Sequence, residues 1–235
     1  MLRPAKGNMY TFLNDYPKKN SNKGYTWNVI KGKCPHDCSY CYMKQFKQPE
    51  LHFDEKELKT DLGEGNFIFV GSSCDMWADL VPADWINKTV SHCEKYSQNT
   101  YLFQSKNPER FYRLATHFNY PTNTILGTTI ETNRIYPQMG ETPSSHERSE
   151  YMSFISEYFK TMVTIEPIMD FDLNVLVDLV QYCNPLWVNI GADSKGHNLS
   201  EPSSEKITAL IEELSKFTKV IPKKNLNRIW NQRPE

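Results

Sequence analysis

The sequence predicts an α/β protein built as a partial, open parallel β/α barrel of about six βα units. Three observations carry that prediction. Short runs rich in Val, Ile, Phe and Thr recur along the chain. They do not alternate strictly with polar residues, as befits strands buried on both faces. Helix-like segments separate them, which favours right-handed crossovers between parallel strands.

The strand candidates are Thr26–Lys33, Asn66–Ser73, Thr100–Lys106, Thr124–Glu131, Met162–Glu166 and Leu186–Gly191. Between them, Ala83–Ser97 follows Pro82 and reads as an amphipathic helix. Pro108–His117 opens after Asn107, a cap candidate followed by proline at the first helical position. Ser144–Lys160, Leu173–Cys183 and Ser203–Lys216 complete the helical set. Six units fall short of the eight in a closed barrel, so the sheet stays open. Ligands in such sheets sit beyond the C-terminal ends of the strands, which directs attention to the residues just after each run.

The 235 residues suffice for one α/β domain, read here as residues 1–235 with a basic extension at 1–24 and a C-terminal helical segment at 203–235. A net charge of −1 argues against a general polyanion-coating protein. The average hides an asymmetry. Residues 1–33 carry Arg3, Lys6, Lys18, Lys19, Lys23, Lys31 and Lys33 against Asp15 alone, and the C-terminal stretch carries Lys216, Lys219, Lys223, Lys224, Arg228 and Arg233. These are either solvated faces or basic edges flanking a site for a phosphate-bearing substrate. The N-terminus lacks the apolar run of a signal peptide, and no stretch reaches the roughly 20 apolar residues of a membrane span. A cytoplasmic protein is expected, with six reduced cysteines available for metal binding or chemistry.

Three of those cysteines fall in Cys34-Pro35-His36-Asp37-Cys38-Ser39-Tyr40-Cys41, a C-x3-C-x2-C spacing after the first strand. Pro35 and Asp37 favour a tight loop that lets all three thiolates face one metal centre. A structural zinc site wants four ligands. His36 lies inside the loop and would strain a zinc tetrahedron. An ordinary iron–sulfur cluster takes four cysteines, so three leave one iron open to a small molecule. An open cluster, a zinc site and plain structural thiols all remain in view.

This spacing, with the aromatic Tyr40 just before the third cysteine, resembles the signature of the radical S-adenosylmethionine (SAM) superfamily. The resemblance implies a 4Fe-4S cluster on Cys34, Cys38 and Cys41 whose unique iron binds SAM. One electron then splits SAM to a 5′-deoxyadenosyl radical that abstracts hydrogen from a substrate. Tyr40 would pack on the adenine. The small turn Gly71-Ser72-Ser73 would receive the SAM amino group through its backbone, small side chains allowing close approach. Lys106 would pair with the SAM carboxylate. Thr129 and Glu131, two residues apart and so on one strand face, would suit that carboxylate or the ribose hydroxyls. Glu166 and Asp193 end the fifth and sixth strands and complete the mouth. Each has a plainer reading as a turn, a solvated side chain or a loop residue.

The order T-W-N, G-S-S-C-D, Q-S-K-N-P-E-R-F, G-T-T-I-E-T-N, I-E-P and N-I-G-A-D-S is similar to the spore photoproduct lyase-like branch and its small phage-associated members, over roughly residues 24–200. In that branch a cysteine near Cys74 returns hydrogen to the substrate radical; otherwise Cys74 is a buried small hydrophobe. The branch implies a lyase- or transferase-type enzyme with an electron donor such as flavodoxin or ferredoxin. The substrate is expected to be a nucleic acid, nucleotide or nucleobase, with a peptide or small metabolite as the alternative. A non-enzymatic metal-binding module is the rival of a different class. Tyr25, Trp27, Tyr42, Trp77 and Trp85 could stack bases or pack a core. Cys93 and Cys183 fall in helical core positions, His92 and His117 on helix surfaces, and His197 in a turn after the sixth strand.

Overall fold

A computed structural model describes residues 1–5, 24–115 and 119–230. Most of the basic N-terminal extension, His117 and Arg233 therefore lie outside the described residues. The strands are β1 (Arg3–Pro4), β2 (Gly24–Trp27), β3 (Ile30–Lys31), β4 (His52–Phe53), β5 (Phe67–Val70), β6 (Thr100–Ser105), β7 (Thr124–Thr129), β8 (Lys160–Ile165), β9 (Trp187–Ile190) and β10 (Lys219–Pro222). The helices are α1 (Ala83–Glu94), α2 (Glu109–Leu114), α3 (Ser145–Ser156), α4 (Leu173–Tyr182) and α5 (Ser204–Leu214). One sheet runs β1-β2-β5-β6-β7-β8-β9-β10, parallel from β2 onward, with β1 antiparallel at its edge. This is the open, partial β/α barrel that the strand count predicts.

Two adjustments stand out. The run Thr26–Lys33 is not one strand. The chain leaves the sheet after Trp27, and Ile30 and Lys31 instead pair with Phe53 and His52 in a small hairpin. Gly32 marks the break: its φ is +105°, and a Cβ there would stand 2.3 Å from the Glu50 carbonyl oxygen. The C-terminal segment is not only helical. After α5 it adds β10 in parallel to β9, a strand hidden in sequence by its lysine and proline.

The two sheet faces differ. Ile68, Val70, Tyr101, Phe103, Leu126, Val163, Ile165, Val188 and Ile190 join the main core with α-helical residues such as Ile86, Val90, Leu176, Leu210 and Leu214. The alternate residues Phe67, Phe69, Leu102, Ile125, Met162, Trp187 and Ile221 form a second apolar cluster inside the barrel curve. Strand alternation carries the inner parity onward to Gly71, Lys106, Thr129, Thr164, Glu166, Asp193 and Lys223. The interior is thus apolar at one end and polar at the C-terminal end.

Helix starts are set locally. Ser144 and Glu147 form a reciprocal capping box on α3, and the Ser203 side chain accepts from the Lys206 amide on α5. Asn107 does not cap α2; its amide donates to Asp79 Oδ1 at 2.9 Å. Cys93 and Cys183 are core residues. His92 is also buried, with Nε2 2.8 Å from the Thr60 carbonyl, because that face of α1 packs under Thr60 rather than facing water. No described helix is long and apolar enough to cross a membrane.

Candidate functional site

Cys34, Cys38 and Cys41 occupy the loop after β2 and open into one cleft of about 1030 Å³ at the C-terminal ends of the strands. The loop is built by short-range bonds: the amides of Asp37 and Cys41 donate to the carbonyls of Cys34 and Cys38 at 3.2 Å each. It is also held from outside. The Ser39 amide donates to the Gln138 carbonyl (2.9 Å), and the Glu141 amide donates to the His36 carbonyl (2.8 Å). Gly140 packs so closely that a Cβ would stand 2.2 Å from the His36 oxygen.

His36 does not turn toward the thiols. Its Nε2 lies 2.9 Å from Asp75 Oδ2 and its Nδ1 3.1 Å from the Glu141 carbonyl. Asp75, which no sequence motif singles out, is the hub of the site. Its carboxylate also accepts from Ser105 Oγ (2.9 Å) and from the amides of Lys106 (2.8 Å) and Trp77 (2.9 Å). One side chain thereby ties the cysteine loop to the ends of β5 and β6. Burial works to raise the Asp75 pKa, but the His36 charge and these bonds hold it below the usual carboxylate range. Its position in Ser-Cys-Asp after the small turn was the available signal.

The turn Gly71-Ser72-Ser73 is clamped from both sides. Gly71 has φ +79° and its amide donates to the Trp27 carbonyl at 2.9 Å. Asn28, immediately after β2, receives the Ser73 amide at 3.0 Å and bonds Ser72 Oγ. The Tyr42 hydroxyl donates to the Ser72 carbonyl at 2.7 Å. Cys74 is buried and lines the cleft together with Cys34; the neighbouring Cys34 thiol and burial both raise its pKa.

Tyr40, Lys106 and Glu131 meet at the inner wall. The Tyr40 hydroxyl donates to Glu131 Oε1 at 2.6 Å, Lys106 Nζ pairs with the same carboxylate, and the ammonium sits 5.2 Å above the Tyr40 ring. Burial pushes the Lys106 pKa down to about 8. Tyr40, Lys106 and Thr129 line the cleft, and Thr129 Oγ1 accepts from Gln104 at 3.0 Å. Glu131 is fully buried and engaged on both oxygens, so it supports the wall from behind Tyr40 and Lys106.

On the far side, Glu166 faces the cleft but is held by Lys223 of the β10 end and by Asn225 Nδ2 at 2.9 Å. Gly191 makes room for it, since a Cβ would stand 2.5 Å from Glu166 Oε1. Asp193 spends its carboxylate on its own loop, accepting from the Lys195 amide (3.0 Å) and lying 2.6 Å from His197 Nδ1. His197 thus belongs to the rim. Trp27 and Trp77 are core residues and cannot stack a ligand; Tyr42, half exposed at the cleft, can. The C-terminal basic edge is largely neutralised, with Lys216 on Glu213, Lys223 on Glu166 and Arg228 on Glu201.

Among the described residues, no three His, Cys, Asp or Glu side chains already close on one point as the ligands of a single ion would. A cubane cluster asks for a wider arrangement, since each iron takes a different thiolate. Three soft thiol donors around one cleft, with His36 committed to Asp75, fit that need better than a closed tetrahedron.

The fold and this cleft define a partial parallel β/α barrel with a cysteine loop at its C-terminal rim. The chain belongs to the family described as protein of unknown function DUF5131, whose profile matches residues 21–198. No curated protein matches it. Among solved structures it is similar to a cysteine-to-serine variant of spore photoproduct lyase, at 12% identity and TM-score 0.59 over 93% of this chain and 79% of that one. A cysteine-to-alanine variant of the same lyase gives 12% identity and TM-score 0.62, over 86% and 77%. A third, a double variant with bound AdoMet and dinucleoside spore photoproduct, gives 14% and 0.56, over 85% and 63%. These likenesses establish the shared fold.

Proposed function

We propose that this chain is a radical SAM enzyme, with Cys34, Cys38 and Cys41 holding a 4Fe-4S cluster and SAM filling the adjacent cleft. The observation that carries the reading is the convergence of the three motif thiols, Lys106, Tyr40 and the Gly71–Ser73 turn on one cleft of a lyase-like barrel. Such a cluster, when bound, supplies the electron that splits SAM to a 5′-deoxyadenosyl radical. The chain's own groups do the placing. Lys106 offers its ammonium to a carboxylate, Gly71 lets a ligand approach the backbone, and Thr129 offers a hydroxyl. Tyr40 presents its ring beside Lys106. Cys74 offers a weak S–H bond to a carbon radical.

The substrate class we favour is a nucleic acid or nucleobase, supported by the relative whose structure carries a dinucleoside photoproduct and by exposed Tyr42 at the cleft. A low-potential protein such as flavodoxin or ferredoxin would be the reductant.

Anaerobic reconstitution tests the reading. The purified chain should take up about four irons and release 5′-deoxyadenosine from SAM on reduction, and Cys38→Ala should lose both. A single tightly held zinc with no SAM cleavage would instead identify a metal-binding module. Deuterium transfer into 5′-deoxyadenosine from labelled oligonucleotides, against labelled peptides, would separate the substrate classes.

A further inference from the structure

The radical SAM reading leaves Arg148 without a task, yet the fold spends a full charge on it. Arg148 lies in the first turn of α3 and is completely buried. Its Nε donates to the Pro143 carbonyl at 2.9 Å, and its Nη1 donates to the Thr129 carbonyl at 2.5 Å and to Glu131 Oε2 at 2.8 Å. Glu131 is equally buried, and its other oxygen takes the Tyr40 hydroxyl and Lys106. The chain of contact therefore runs from a helix outside the barrel, through one carboxylate, to two side chains that face the cleft.

The charges in this chain do not balance. Along this line of contact Arg148 and Lys106 bring two positive charges against the single negative charge of Glu131, and Asp75, the other carboxylate that attracts both, is already paired with His36. A buried unmatched charge is costly unless something compensates it. Of the three, Lys106 alone reaches the cleft, with 17% of its side chain exposed, so the surplus is displayed there. Arg148 makes that display stable. By saturating Oε2 it fixes the Glu131 carboxylate, whose Oε1 then holds Tyr40 and Lys106 at set positions. Without Arg148 the carboxylate would answer to Lys106 alone, and the pair would neutralise itself.

We infer that Arg148 is a positioning residue: through Glu131 it fixes the Tyr40 ring and the Lys106 ammonium, and it leaves Lys106 with net positive charge for an anionic group of the bound cofactor. The inference rests on the radical SAM reading and adds a residue that touches neither cluster nor SAM. It also explains why Glu131, a carboxylate at a strand end, is sealed from the cleft.

The test is SAM affinity, measured by equilibrium binding on the anaerobically reconstituted full chain with iron content determined in parallel. Arg148→Met and Glu131→Gln should each keep the parental iron content and weaken SAM binding about tenfold, the scale of one lost charge-assisted hydrogen bond. The double variant E131Q/R148M should be no weaker than the worse single one, because both act along one line of contact. It also removes both of the fully buried charges, which keeps the test available should R148M alone fail to fold. Arg148→Lys, which retains charge but not the fork, should restore part of the affinity. Parental SAM affinity in R148M, or losses that simply add in the double variant, would overturn the inference while the enzyme assignment stood. A parent chain that loads iron but never binds SAM would overturn both.

Discussion

Replacing Gly140 by alanine probes the cysteine loop without touching a cysteine. Gly140 has φ +68° and ψ −150°, a region that is essentially reserved for glycine and costs another residue about 1–3 kcal/mol. The added methyl would lie 2.2 Å from the His36 carbonyl oxygen and 2.9 Å from both Asp37 C and Cys38 N. All three are backbone atoms, so no rotamer change can relieve the overlap. Forced overpacking of this kind adds about 1–3 kcal/mol. The expected loss is therefore about 2–6 kcal/mol, a large share of the roughly 5–15 kcal/mol that holds a typical domain. Gly196 supplies the control, with φ +70° and nothing within 4 Å of its virtual Cβ. Gly196→Ala should cost only the conformational part. Urea unfolding of the iron-free, reduced proteins measures both, and iron uptake after reconstitution reports the loop itself. Equal stability of the two variants, with parental iron uptake in Gly140→Ala, would refute the claim that the 137–141 segment buttresses the loop.

Asp75→Ala removes the acceptor shared by His36, Ser105 and the Lys106 and Trp77 amides. Leaving several buried donors unsatisfied should cost about 3–5 kcal/mol in denaturant unfolding, and a cost under about 1 kcal/mol would show that Asp75 is not the hub. Cys74→Ala should keep its full iron content and its SAM cleavage, at a stability cost near 1 kcal/mol, but change the product formed from the true substrate. Loss of metal would reveal Cys74 as a fourth ligand, and normal product would remove its hydrogen-donor role. Burial works to raise the Asp170 pKa, yet the Lys206 hydrogen bond and the Lys206 and Arg134 charges leave it below its ordinary 3.8. Its contribution is thus present above that value and disappears as pH falls through the lower folded value. Asp170→Asn should flatten the acid limb of stability, by less than about 1 kcal/mol because the pair is partly solvated. An unchanged acid limb would count against the pairing.

The local chemistry of this chain was legible in one dimension. Thiol spacing, a small turn, and polar residues closing apolar strands are all short-range patterns, because a loop and a strand end are made of neighbours in sequence. That is why Cys34, Cys38, Cys41, Gly71 and Lys106 stand out in the sequence as candidates. What each polar group does was decided by contacts across long separations. Glu131 and Asp193 read alike at strand ends. Arg148 seals the first into a buried ion network, while the second is consumed by its own following loop. His36 sits among the cysteines in sequence, but Asp75, 39 residues away, takes its side chain. β10 was unreadable, since among the described strands it pairs with β9 alone and its lysine and proline hide the apolar pattern. Sequence determines which groups arrive at the rim of the barrel; tertiary packing alone determines which keep a free face toward a ligand, because burial and pairing are properties of the whole chain.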